Sequence, residues 1–223
     1  KNHKIKFIGK FSSNIKLDNT VSQLLKIIDK KKLLKEKYQI IIKKNIPSAA
    51  GLGGGSINAA SILNFLIKKK LIKVSNKDII KIANLIGSDV ILGIYLKNLI
   101  LRSDNTIKTL SIKKKIPVLI VKPYFGCSTK EIYSEVRKFT KIRFNFTSKN
   151  MFSMDFLKRM KNDLEIIALN KYKKLSTLKK FLEKLSKVEF VRMTGSGSAI
   201  IAYFNTDKKC KEAEKKVKKQ FRN

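Results

Sequence analysis

Gly51, Gly53, Gly54 and Gly55 place four of the chain's ten glycines within five positions. They lie inside Pro47-Ser-Ala-Ala-Gly-Leu-Gly-Gly-Gly-Ser-Ile-Asn-Ala-Ala60. Glycine lets successive backbone N–H groups turn inward and lets the main chain approach a ligand closely. Each costs about 0.5–1 kcal/mol in a regular element relative to alanine, so a bound phosphate is a reasonable compensation. If a helix follows, its N-terminus adds partial positive charge. The Ser56 hydroxyl then meets a phosphate oxygen or Mg²⁺, or caps the helix. We favour the first role, and the two are compatible. Asp89 follows a glycine stop at Gly87 and precedes a run rich in Val and Ile. A carboxylate there is a turn former or, within reach of a hydroxyl, a general base. A second glycine loop, Arg192-Met-Thr-Gly-Ser-Gly-Ser198, lies near the other end.

The first loop is not a Walker A loop, because no Lys-Ser/Thr follows Gly55. It is not a dinucleotide fingerprint either, because the glycine spacing is wrong and no acidic residue ends a second strand at the expected distance.

The elements that must position these residues are legible. Tyr38–Lys43 reads as a strand entering the loop. Ala59, Ala60, Ile62, Leu63, Leu66 and Ile67 share a helical period after it. Upstream, Asp18-Asn19-Thr20 starts a helix expected to run to about Leu34. Ser75 and Asp78 form a capping-box pair, opening a helix that Gly87 ends. Val90–Tyr95, Asn98–Arg102 and Thr106–Ser111 read as short strands, the last two joined through Ser103-Asp104-Asn105. Lys113–Lys115 closes this part, so a domain boundary is expected between residues 114 and 115. The remainder reads strand (Pro117–Lys122), helix from Ser128, an irregular stretch to Ser153, and helices to about Leu185. Two strands (Lys187–Met193, Ala199–Phe204) and a last helix (Asp207–Phe221) complete it. The interleaving argues α+β or α/β.

Composition narrows the class. The chain has 223 residues, 43% of them hydrophobic, enough for one large domain or two small ones with real cores. No apolar run reaches the roughly 18 residues of a membrane helix, and no signal-peptide core opens the chain, so a cytoplasmic setting with no membrane partner is expected. Cys127 and Cys210 form neither a disulfide framework nor a metal motif, and no metal-ligand spacing occurs elsewhere. His3, near a chain end, is expected on the surface. The net charge of +35 invites a nucleic-acid reading. Against it, lysine far outnumbers arginine and is spread along the chain, and no RNA-binding aromatic motif or helix-turn-helix is evident. No nucleic-acid partner is therefore expected.

The motif Pro-x3-Gly-Leu-Gly-Gly-Gly-Ser-x-Asn-Ala-Ala resembles the second motif of the GHMP small-molecule kinases. The triple glycine is similar to the branch acting on diphosphocytidyl methylerythritol, where homoserine and mevalonate kinases usually read Gly-Leu-Gly-Ser-Ser. Leu85-Ile-Gly-Ser-Asp-Val90 resembles the segment carrying that branch's catalytic aspartate. Arg192–Ser198 resembles the family's third motif. The resemblance covers nearly the whole chain. It implies a two-domain α+β fold, ribosomal-S5-like over 1–114 and ferredoxin-like over 115–223. It implies ATP with Mg²⁺, a small-molecule hydroxyl substrate, and a monomer or homodimer. It makes Asp89 the catalytic base. Lys44 and Pro47, Ser48, Ala49, Ala50, Gly51, Leu52, Gly53, Gly54, Gly55, Ser56 and Ile57 become the nucleotide site, with Lys44 near the base. Thr129, Gly195, Ser196 and Gly197 fall at the substrate, although Ser128 and Thr129 could both be helix caps. Asn162-Asp163 resembles a pair taken as structural. The family's first motif, with its lysine and Tyr-His, has no counterpart in Lys1–Ile8 or Gly9-Lys10-Phe11. The chain therefore reads as beginning inside the first domain, with about two strands before it.

Overall fold

The computed structural model describes residues 2–13, 15–95, 97–102, 106–111, 115–140 and 148–221. It divides into two compact units, Lys1–Ser48 with Gly53–Thr109, and Ala49–Leu52 with Leu110–Asn223. The glycine loop thus changes unit between Leu52 and Gly53. The expected turn at Ser103–Asn105 and most of the expected boundary at Lys113–Lys115 lie outside the described residues.

In the first unit, β1 (Lys4–Ile8) pairs in parallel with β2 (Gln39–Lys43), from Lys4↔Gln39 to Ile8↔Lys43. Parallel neighbours need a crossover, and α1 (Thr20–Lys30) supplies it. Asn19 caps α1 by accepting from the Val21 and Ser22 N–H groups, and Ser22 returns the bond. The helix stops at Lys30 rather than near Leu34. Lys32 turns left-handed, φ +52°. Leu33 and Leu34 keep the apolar pattern because they still pack on the core.

From the loop run α2 (Gly54–Lys68), then α3 (Asn76–Ile86), whose Ser75–Asp78 capping box is present, and Gly87 ends α3. Val90–Ile94 is a helix, α4, and not the expected strand. Val90, Ile91 and Gly93 are buried, a helical and not an alternating pattern. A Cβ on Gly93 would come within 2.7 Å of the Ala60 Cβ, so the backbone of α4 lies directly on α2. This packing outweighs the β-propensity of Val and Ile. Leu24, Ile28, Leu63, Ile82 and Ile91 lie at the centre of this core. β3 (Asn98–Leu101) and β4 (Ile107–Leu110) pair beyond it.

His3 is not a surface residue; its side chain is 6% exposed. Its Nδ1 accepts from the Tyr38 N–H at 3.0 Å, and its Nε2 lies 3.1 Å from Asp29. β1 brings it against the entry to β2, which its place near a chain end did not reveal.

The second unit holds an antiparallel sheet ordered β5 (Val118–Val121), β7 (Ile200–Tyr203), β6 (Phe190–Met193). Val191, Met193, Ile200 and Ala202 point to one face. There they meet α7 (Asp163–Lys171), α8 (Lys173–Glu183) and α9 (Asp207–Gln220) in one core. On the other face Phe190 stacks on Tyr203 at 4.1 Å, with the Arg192 guanidinium over Phe190. Two short helices, α5 (Thr129–Ser134) and α6 (Met154–Arg159), precede α7.

Candidate active site

α2 opens without a side-chain cap. Its N-cap is Gly53, left-handed at φ +64°, and no acidic residue follows in the first turn. Among the described residues the first-turn N–H groups therefore have no side-chain acceptor, and such groups, with the helix dipole, attract anions. Ser56 is the third residue of α2 and not its cap, so its hydroxyl is not spent on capping. The Thr20 hydroxyl donates to the Gly55 carbonyl at 2.7 Å and ties the start of α1 to this turn. The sequence carried no signal for this contact, because the two residues are 35 positions apart.

Lys44, directly after β2, is 6% exposed. A Cβ on Gly54 would stand 3.3 Å from its Nζ. Burial pulls its pKa below the ordinary lysine value. The hydrophobic wall at this point is Ile46, within 3.0 Å of the same Cβ position.

Ala49–Leu52 is knit to the second glycine loop inside the second unit. The Thr194 hydroxyl donates to the Gly51 carbonyl at 3.0 Å. Ser198 N and Ala199 N donate to the Ala49 and Ala50 carbonyls, and Cys127 N also donates to Ala49. Glycine is required at Gly51, φ +68°, because a Cβ there would stand 2.0 Å from the Thr194 carbonyl oxygen. Gly195 approaches Gly51 from the other side, with its Cβ position 3.0 Å from the Gly51 oxygen.

The second loop is held from behind. Asn162 caps α7 through its oxygen and donates its amide to the Met193 and Gly195 carbonyls at 2.9 and 2.8 Å. Asp163 accepts from Thr140. The Ser198 hydroxyl donates to the Phe125 carbonyl. Replacing Asn162 with alanine is expected to cost about 1–2 kcal/mol, from the lost cap and two unpaired carbonyls. Asn162→Asp keeps the cap acceptor and loses both amide donations. Thermal unfolding of the two variants separates the cap from the loop tether.

Thr129 and Ser196 meet across 67 positions, their hydroxyl oxygens 2.8 Å apart. Ser128, not Thr129, is the cap of α5. Thr129 is thus free to face the loop, where Ser196 is buried. Cys127 lies beneath the loop, its thiol pushed up by burial and so a poor nucleophile.

Tyr133 sits one turn after Thr129 on α5 and is 52% exposed. It lines a cavity of about 460 Å³ together with Thr194, Gly195 and Arg192. Its spacing from Thr129 was a readable helical signal that the sequence reading passed over.

Asp89 stands at the N-cap of α4, exposed, with no cap hydrogen bond from its side chain. Two anchors orient α4 along α2. Gly93 lies against Ile57 and Ala60, and the Ile94 carbonyl accepts from Asn64 further along. Both anchors lie at the C-terminal end of α4, and Asp89 stands at its other end. Among the described residues, no group of three or more His, Cys, Asp or Glu could hold a metal ion.

The chain is similar to known kinases. The model of the GHMP kinases N terminal domain matches residues 19–95. A 4-diphosphocytidyl-2-C-methyl-D-erythritol kinase of Pelagibacter ubique is 53% identical, covering all of this chain and 80% of its own. The same kinase of Clostridium tetani is 32% identical over 96% of this chain and 79% of its own. Among solved structures, a 4-(cytidine 5'-diphospho)-2C-methyl-D-erythritol kinase superimposes with a TM-score of 0.70 at 22% identity, over 97% of this chain and 79% of that one. L. major mevalonate kinase reaches 0.64 at 13% identity, over 99% and 80%. Homoserine kinase from Cytophaga hutchinsonii reaches 0.62 at 16%, over 99% and 78%. The last two share the fold and read a different substrate, whereas the sequence relationship points one way: this chain belongs to the GHMP kinase family, in its 4-diphosphocytidyl-2-C-methyl-D-erythritol kinase branch.

Proposed function

We propose that this protein transfers the γ-phosphoryl group of ATP to a hydroxyl of 4-diphosphocytidyl-2-C-methyl-D-erythritol, a cytoplasmic step of non-mevalonate isoprenoid synthesis. The observation that carries the reading is the 53% identity over the whole chain to a kinase of that name. The uncapped, glycine-rich start of α2 supports it as a phosphate seat. In this reading residues 1–114 form the nucleotide-binding domain and 115–223 the second domain.

Phosphoryl transfer asks the protein for positioning, charge neutralisation and a group that orients the attacking hydroxyl. The N–H groups of Gly54, Gly55 and Ser56 hold phosphate oxygens. Asp89 accepts the proton of the substrate hydroxyl as it attacks. Thr129 and the Gly195–Gly197 loop hold the substrate, and the exposed ring of Tyr133 offers a stacking surface for its base. The residues present fit Mg²⁺ carried in on the phosphates, with the Ser56 hydroxyl as a protein donor, better than a dedicated protein cage. When bound, the ion neutralises charge on the transferring phosphoryl group.

The test is ADP release measured in turn with the diphosphocytidyl compound, homoserine and mevalonate. Turnover with the first alone is the expected result. Turnover with homoserine or mevalonate, and none with the cytidine compound, overturns the substrate assignment.

A further inference from the structure

The Lys44 ammonium is the feature of the first unit that the fold itself leaves unexplained. A buried cation is costly unless it is paired. Lys44 as a residue is more than nine-tenths buried, and only the tip of its side chain keeps a contact with solvent. Yet among the described residues its Nζ has no hydrogen-bond or ion-pair partner, and no carboxylate influences its titration. Its surroundings make the cost larger. It lies beside Gly54, the first residue of α2, where the helix dipole is also positive. Two positive sources lie side by side here, and Gly53 supplies no cap oxygen, a setting that favours negative charge.

We propose that Lys44 is a phosphate ligand, its ammonium closing over an anionic oxygen held by the first-turn N–H groups of α2. The proposal rests on the kinase reading and deepens it. It differs from the role that the family resemblance implies, in which this lysine stands near the nucleotide base. Gly54 is what allows the approach, because any side chain there would meet Lys44 and Ile46. The anion belongs to the polyphosphate of a nucleotide. Neutralising it would let the partly desolvated ammonium keep its charge.

The experiment is titration calorimetry of the protein, Lys44→Met and Lys44→Gln with three probes: ADP, adenosine and inorganic tripolyphosphate. Lys44→Met keeps the length of the stem and removes the charge. Thermal unfolding without ligand should give a melting temperature equal to or above that of the unmodified protein, because a partly desolvated, unpaired charge has gone. Binding of ADP and tripolyphosphate should weaken about tenfold or more, as for one lost charged contact, while adenosine is unaffected. Equal weakening for ADP and adenosine would place Lys44 at the base and overturn the proposal. Unchanged binding of all three would also overturn it. If the unmodified protein binds tripolyphosphate and not ADP, the nucleotide reading fails while the anion site stands. Should either variant fail to fold, Lys44→Arg, which keeps the charge, must retain tripolyphosphate binding.

Discussion

Asp89→Asn should lower kcat on the order of 10²-fold or more, the usual loss for an acid–base group, while KM for ATP and the melting temperature stay close to those of the parent. The split follows from its surroundings. The side chain is exposed and makes no cap hydrogen bond, so the amide replaces it without cost to α4. What the amide cannot do is accept a proton. Position is supplied separately, by Gly93 on Ala60 and by Asn64 at the far end of α4. A second variant sharpens the test. Gly93→Ala would force a methyl group to within 2.7 Å of the Ala60 Cβ. It should move α4, and with it Asp89, reducing kcat while leaving the carboxylate in place. Steady-state kinetics with saturating ATP distinguishes the two. A near-normal rate for Asp89→Asn removes Asp89 from the mechanism.

Gly51→Ala is expected to be the most damaging single substitution in the glycine loop. The left-handed backbone at φ +68° costs a non-glycine residue about 1–2 kcal/mol by itself. The added carbon would also stand 2.0 Å from the Thr194 carbonyl oxygen and 2.9 Å from Gly197 N. Both are main-chain atoms, so no rotamer change relieves the overlap. The segment Ala49–Leu52 must withdraw from the second loop. That movement breaks the bonds from Thr194 to Gly51 and from Ala199 to Ala50. Gly53→Ala is the control. Its φ is +64°, but nothing lies within 4 Å of its Cβ position, so only the backbone term applies. Thermal unfolding and ATP titration of the pair should show a large loss in both for Gly51→Ala and a small one for Gly53→Ala. Equal effects would mean that the contact between the two loops carries little weight.

The chemistry of this chain was more legible than its packing. Glycine loops depend on local backbone freedom, so the motif around Gly51–Gly55 pointed to the family through composition and spacing, and the chain belongs to that family. The Ser75–Asp78 box and the Gly87 stop were equally local. Where neighbours decide, the reading failed. Val90–Ile94 has the composition of a strand and is a helix because Gly93 must lie on Ala60. His3 looked like a loose end and is buried against Asp29 and Tyr38. For Ser56 a cap was the less favoured alternative, and Gly53 takes that place by turning left-handed. The contacts of Thr129 with Ser196 and of Thr20 with Gly55 join residues far apart in the chain. No periodicity announces such pairs. Lys44 shows the same limit from the other side. Its family place was recognisable among many lysines, whereas its isolation at the start of α2 is a property of the fold.

The most direct test of the whole account is phosphorus NMR of the protein incubated with ATP, Mg²⁺ and 4-diphosphocytidyl-2-C-methyl-D-erythritol. The account predicts that the γ-phosphate signal of ATP gives way to a new phosphomonoester on the acceptor, with ADP in equal amount. Orthophosphate in place of that phosphomonoester, or an unchanged ATP spectrum, would contradict it.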